Sequence, residues 1–381
     1  MTMEGYIERE ITKEIVAVQP FYPVTLVTGA RQVGKSTLCR HIFKNYKFVN
    51  LENVDFRLLA DSDPNAFLDY LGDTAIIDEV QNCPGIFSAI QARVDADKKL
   101  RYILTGSCNF KLIESSCQSM AGRVAAFVLP PLSFRELDTE DRNVGVDDMM
   151  INGFYPGVIC DGIEPRIFYR NYYNTYIERD VRNVLKIGNL LKFDTFMRLM
   201  AGRAGSEFRA TSLSTEVGVS STTISEWLSI LAAAYIVFPL PPYHANISKR
   251  LTKMPKYYFY DTGLMCYLLG IENRGQLDVH PLRGAIFENM VVSELVKKRI
   301  NEVRPMNLFF YREYSGREVD VLQERPDGFN LYEIKAAKTF HPEFKRNLEY
   351  VEKLFPDKKI DSKVIYNGKS IPPNILNVND I

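Results

Sequence analysis

One stretch constrains the fold more than any other. Pro23-Val-Thr-Leu-Val-Thr28 is an apolar, β-branched run. Directly after it comes Gly29-Ala-Arg-Gln-Val-Gly34-Lys35-Ser36, and then a helix-favouring segment from Lys35 to about Tyr46. Strand, glycine-rich turn and helix are the setting in which GxxxxGK[ST] carries meaning, and chance yields the bare pattern in only about one per cent of chains this long. The glycines let successive backbone N–H groups turn inward onto an anion, and the helix N-terminus adds a favourable dipole.

Gly29, Ala30, Arg31, Gln32, Val33, Gly34, Lys35, Ser36 and Thr37 are therefore expected to cradle the phosphates of a nucleotide. Lys35 would reach the β- and γ-phosphates and the Ser36 hydroxyl would ligate magnesium, so ATP and Mg2+ are the expected cofactors. A second element belongs with the loop. Thr74-Ala-Ile-Ile-Asp78 is a short apolar strand that ends in two carboxylates, Asp78 and Glu79. Asp78 is expected to support the metal and Glu79 to polarise the attacking water. Ser107, or Thr105, at the end of Arg101-Tyr-Ile-Leu-Thr105 is expected to bond that water. Arg123, Arg179 and Arg182 are candidates for an arginine that stabilises transferred charge.

Lys47–Leu51 and Val124–Leu129 complete a set of five strand runs separated by helical ones, the pattern of a parallel sheet covered on both faces. The expected fold class is α/β, with residues 1–132 as a phosphate-loop ATPase core and 133–188 as a helical lid. Residues 189–248 read as a winged helix-turn-helix: Thr211–Gly218 is a short helix, Ser220-Ser-Thr-Thr a cap, and Ile224, Trp227, Leu228 and Leu231 one face of a second helix.

Residues 249–381 read as a helix, three strands, a helix and a strand. Asp320 lies in one strand, and Glu333 and Lys335 share one face of the next. With Glu288 from the preceding helix they form a possible metal-dependent phosphodiesterase centre, in which Asp320 and Glu333 hold a divalent ion and Lys335 orients water. The alternative is a solvated sheet face carrying an ordinary Glu–Lys pair.

Charge narrows the partners. Lys+Arg and Asp+Glu both number 47, which excludes binding to nucleic acid or lipid by bulk charge alone. Residues 1–180 hold 19 basic and 25 acidic side chains (net −6), and residues 181–381 hold 28 and 22 (net +6), so a polyanion is expected at the second half. There the hydroxyls of Ser220, Ser221, Thr222, Thr223 and Ser225 suit phosphate contacts, and Lys249, Arg250, Lys253 and Lys256 read as a basic surface run. Six cysteines without a CxxC pair fit a reducing compartment. The charged N-terminal stretch does not read as a secretory signal. Pro239, Pro241 and Pro242 interrupt the one long uncharged segment, so a cytoplasmic protein without membrane contact is expected.

The phosphate loop, Asp78-Glu79, the Leu-Thr-Gly-Ser107 strand end, Lys256-Tyr-Tyr-Phe-Tyr-Asp-Thr-Gly-Leu264 and Glu333-Ile-Lys335 together resemble a known family. It comprises the bacterial and archaeal AAA-type ATPases whose C-terminal domain of unknown function is related to PD-(D/E)xK nucleases. The resemblance implies a restriction-endonuclease-like C-terminal fold. It also implies nucleotide roles for Gly34, Lys35, Ser36, Asp78 and Glu79, and nuclease-like roles for Glu288, Asp320, Glu333 and Lys335. The functional expectation is an Mg-dependent ATPase that binds and remodels or translocates DNA by structure rather than sequence, with a four-way junction as one substrate. It would act as a homo-oligomer such as a hexameric ring. The competing expectation is an ATP-gated protein-interaction switch with a degenerate nuclease-like docking domain.

Overall fold

The computed structural model describes residues 6–107, 120–138, 145–175, 190–244, 254–313 and 315–381, with the backbone alone for residues 107 and 138. They fall into two compact units. The first takes Met1–Leu132 with Ala233–Tyr235 and Ile300–Arg304. The second takes Ser133–Ala232, Ile236–Arg299 and Pro305–Ile381.

In the first unit, β1 (Val24–Gly29), β2 (Lys47–Asn50), β3 (Thr74–Asp78), β4 (Arg101–Ser107) and β5 (Val124–Val128) form one sheet in the order β2-β3-β4-β1-β5. Every pairing is parallel. All six residues of β1 are buried, as the centre of a sheet packed on both faces requires. Leu26, Val49, Phe67, Leu68, Ile77, Ile90 and Leu104 fill the core between sheet and helices. Asn53 and Asp63 start the helices Val54–Ser62 and Pro64–Leu71 by accepting backbone N–H bonds with their side chains. The register sets Asn50 beside Asp78 and Gly29 beside Ser107, all at carboxyl ends of strands, where ligands of open parallel sheets bind. The helix after the loop spans Lys35–Ile42, shorter than expected. Phe43 leaves helical geometry at φ −108° and ψ 58°, and the Tyr46 N–H closes a turn on the Phe43 carbonyl that feeds β2.

The second unit begins with the helices Phe134–Asp138, Val146–Asn152, Pro156–Ile159 and Pro165–Tyr172. The helices Leu190–Gly202, Ala210–Val217 and Ser221–Ala233 follow, then an antiparallel pair, β6 (Val237–Leu240) and β7 (Lys256–Phe259). Gly218 ends its helix in the left-handed region at φ 72°, and Ser220 Oγ accepts the Thr223 N–H at 3.0 Å to start the next. Trp227 is core: its ring meets Phe193 and Phe196 edge-on, at 5.2 Å each. β6 starts at Val237, just after Tyr235 takes a left-handed φ of 56°.

The helix Arg283–Asn301 precedes β8 (Leu308–Arg312), β9 (Glu318–Arg325), β10 (Gly328–Lys335), the helix Arg346–Leu354, β11 (Lys359–Tyr366) and β12 (Ile375–Asn377). The sheet order is β12-β11-β10-β9-β8, antiparallel from β8 to β10 and parallel from β10 to β12. The parallel β10–β11 pair needs a crossover, which the helix Arg346–Leu354 supplies. Pro242 bridges Phe310, so the chain leaving β6 pairs with the outer edge of β8.

The Tyr-Asp-Thr-Gly-Leu segment proves to be a packing lock. Buried Asp261 accepts the N–H groups of Leu264 at 2.9 Å and Phe154 at 2.6 Å, capping one helix and fixing the loop before another. Gly153 sits there at φ +66°, and a Cβ on it would lie 2.0 Å from the Tyr169 hydroxyl. Only glycine meets both demands.

Candidate functional site

The phosphate loop is built from its backbone. Gly29 ends β1 at φ +146°, and a Cβ there would lie 2.2 Å from the Leu129 carbonyl oxygen, so the two chain segments approach as closely as glycine permits. Gln32 (φ 62°) and Gly34 (φ 93°) both take left-handed geometry, which turns the chain sharply before the helix Lys35–Ile42. Lys35 is 5% exposed, and its Nζ donates to the Ala30 carbonyl at 2.8 Å and the Gly29 carbonyl at 3.2 Å. The ammonium therefore lies inside the curve of the loop.

Behind the loop, Asp78 gathers three donors. Ser36 Oγ donates to its Oδ1 at 2.7 Å, the Thr105 hydroxyl donates to the same oxygen, and Asn50 Nδ2 donates to Oδ2 at 3.1 Å. Asn50 is itself fixed, since its Oδ1 accepts the Glu52 N–H at 2.7 Å. Glu79 follows in the left-handed region at φ 54°, a costly conformation for a residue with a Cβ, and Gln81 Nε2 donates to its Oε2. The donor set fits a nucleotide with magnesium: inward-turned backbone, one ammonium, and one hydroxyl backed by one carboxylate. Ala30, Arg31, Val33 and Thr37 complete the stretch from β1 into the first turn of the helix.

Other expected residues divide. Thr105 reaches Asp78, whereas the side chain of Ser107, and Arg179 and Arg182, lie outside the described residues. Arg123 is held by Asp95, Nε to Oδ1 at 2.7 Å, and donates to the Ala121 carbonyl at 2.9 Å. Asn50 and Gln81 were not foreseen. Gln81 lies two residues beyond Glu79, a local signal, whereas Asn50 meets Asp78 only through the pairing of β2 with β3.

The second unit assembles the other acids. Tyr258 donates its hydroxyl to Glu288 Oε1 at 2.7 Å, the Ile334 N–H donates to Asp320 Oδ2 at 2.7 Å, and Lys335 Nζ donates to Glu333 Oε1 at 2.7 Å. Burial, reinforced by the charge of Asp320, raises both Glu288 and Glu333 to about 7. Burial raises Asp320 as well. Glu333 is 3% exposed and its Oε2 has no hydrogen-bond partner.

Lys256 corrects an expectation. It is no part of a basic surface: it is 3% exposed, ion-paired with Glu318 and 3.6 Å from Glu288 Oε1. Burial alone would lower its pKa, but Glu288 and Glu318 raise it overall. Lys249, Arg250 and Lys253 lie outside the described residues. Among the described residues no group of three or more His, Cys, Asp or Glu side chains is placed to hold a metal ion. Asp320 and Glu333 are thus set in a mixed cluster with Lys256 and Lys335 rather than in a bare carboxylate site.

A family model described as an AAA domain matches residues 22–138. Two more, each described as a domain of unknown function, match residues 144–275 (DUF8612) and 283–378 (DUF4143). The uncharacterized protein Rv2008c of Mycobacterium tuberculosis is 32% identical over 329 residues, covering 83% of this chain and 71% of that protein. The chain belongs to the Rv2008c family. Its first unit is a nucleotide-binding P-loop domain of the AAA type. An uncharacterized protein of Haemophilus influenzae is 21% identical over 313 residues, 72% of this chain and 74% of that one. Among solved structures, a Walker-type ATPase of Pyrococcus abyssi shares 14% identity over 70% of this chain and 97% of that chain, with a TM-score of 0.44. No helix among the described residues of this Rv2008c relative is long and apolar enough to cross a membrane.

Proposed function

We propose that the chain is a magnesium-dependent ATPase that acts as a cytoplasmic homo-oligomer, a hexameric ring being one such form, and couples hydrolysis to binding and remodelling or translocating DNA. The observation that carries the ATPase reading is the convergence of Ser36 and Thr105 on one oxygen of Asp78, beside a loop that encloses Lys35. In this reading the loop amides and Lys35 hold the triphosphate, and Ser36, backed by Asp78, holds the metal. Glu79 takes the proton of the attacking water, and Thr105 or Ser107 orients that water. Bound magnesium supplies charge neutralisation on the phosphates. An arginine from a neighbouring copy, such as Arg123, Arg179 or Arg182, would complete the charge stabilisation, which is why an oligomer is expected.

The DNA reading rests on the net +6 of residues 181–381 and on the hydroxyl-rich start of the helix Ser221–Ala233, read as the recognition helix of a winged helix. The helix–three strands–helix–strand order, with Glu288, Asp320, Glu333 and Lys335 drawn together, supports a nuclease-like C-terminal domain. The second reading is an ATP-gated interaction switch in which that domain is degenerate and docks proteins. It is favoured by Lys256, whose ammonium already lies against Glu288 and Glu318.

ATP turnover measured with no DNA and with linear duplex, single-stranded and four-way-junction DNA separates the two. Stimulation by DNA supports the motor, and equal rates throughout support the switch.

A further inference from the structure

Arg9 belongs to no motif, yet it occupies a core position. Ile7, Arg9 and Ile11 alternate inward along the N-terminal segment at 3%, 4% and 0% exposure, while Glu8 between them is exposed. Burying a guanidinium costs desolvation and side-chain entropy, and a third apolar residue would fill the space without that cost. What the guanidinium does there is specific. Nη1 donates to the Val33 carbonyl at 2.9 Å and Nη2 to the Pro130 carbonyl at 2.7 Å. One acceptor is inside the phosphate loop. The other directly follows Leu129, whose carbonyl oxygen closes on Gly29.

The Val33 carbonyl and the Gly34 N–H belong to one planar trans peptide and point in opposite directions. Pinning the oxygen therefore aims the N–H. The need is real at this position, because Gly34 lies at φ 93° with no Cβ to restrict it, and left-handed Gln32 precedes it at φ 62°. A charged donor on the oxygen also polarises the peptide and makes its N–H a stronger donor.

We infer that Arg9 is a positioning residue for the phosphate loop: it ties Val33 to Pro130 and so holds the Gly34 N–H turned toward the nucleotide phosphates. Arg9 acts through the loop peptide and not on the nucleotide. The inference rests on the ATPase reading and extends it to a residue outside the loop.

The test is steady-state ATP turnover and fluorescent-ATP binding for wild type, Arg9→Met, Arg9→Lys and Arg9→Ala, with circular dichroism to establish the folded fraction. Arg9→Met should raise KM and Kd for ATP about tenfold or more, with a smaller change in kcat. Arg9→Lys should recover only part of the loss, because an ammonium lacks the fork that spans two carbonyls. Millimolar guanidinium should lower the KM of Arg9→Ala and leave wild type unchanged, a response that a merely structural arginine does not give. Should Arg9→Met fail to fold, Arg9→Lys and the guanidinium experiment carry the test. A wild-type KM in the folded variants with no guanidinium effect overturns the role of Arg9 and leaves the ATPase reading standing. Wild type that neither binds nor hydrolyses ATP removes both.

Discussion

Ser36 donates its hydroxyl to Asp78 across 2.7 Å, although 42 residues separate them in sequence. The bond joins the first turn of the helix after β1 to the end of β3. It is shared: Thr105 donates to the same oxygen and Asn50 to the other, so one carboxylate orders the carboxyl ends of β2, β3 and β4 and the point where the phosphate loop enters its helix. Asp78 is consequently both a structural anchor and the chemical backing for the Ser36 hydroxyl.

Asp78→Asn replaces an acceptor-only group with one that carries an amide donor among three existing donors. Turnover should fall by about 100-fold or more, and the concentration of Mg2+ that gives half-maximal rate should rise. A magnesium titration of ATPase rate checks both.

Gly29→Ala places a methyl group against the Leu129 carbonyl at a φ that L-residues rarely adopt. The expected loss is about 2–4 kcal/mol of stability in the first unit. Urea unfolding followed by far-UV circular dichroism reads it.

Lys256→Met strands Glu288 and Glu318 without their buried cation. Removal of one partner from a buried pair costs about 3–5 kcal/mol, so the midpoint of urea unfolding should fall sharply. An exposed lysine would change it little.

The same cluster gives the second unit a pH signature. Glu288 and Glu333 have folded-state values near 7, raised above the ordinary 4.5, so the folded chain binds more protons than the unfolded chain between those limits. Their contribution to stability is therefore fully present below about pH 4.5 and is lost as pH rises through 7. Lys256, Tyr258, Glu318, Asp320 and Lys335 face the pair. Thermal midpoints from pH 5 to 8 should fall, and Glu288→Gln should flatten the slope.

How far the sequence could be read follows from what each residue depends on. The phosphate loop, Asp78-Glu79 and the five strands were legible because they are local: apolar runs, glycine spacing and strand ends lie within a few residues of one another. The placement of Asp320 beside Glu333 and Lys335 was legible through strand alternation and a hairpin, whereas Glu288 joins them from the helix Arg283–Asn301. Lys256 was misread, since a lysine that follows Lys249, Arg250 and Lys253 looks solvated until β7 pairs with β6 and carries it to Glu318. Asn50 and Arg9 were invisible for the same reason. Their partners, Asp78, Val33 and Pro130, lie 24 to 121 residues away and meet them only when the sheet closes.

The most direct measurement is ATP binding and turnover by wild type beside Lys35→Ala and Glu79→Gln. Wild type should bind and split ATP with magnesium, Lys35→Ala should do neither, and Glu79→Gln should bind ATP while turnover falls by about 100-fold or more. Wild-type turnover in both variants, or none in the unaltered chain with any DNA present, would contradict the account.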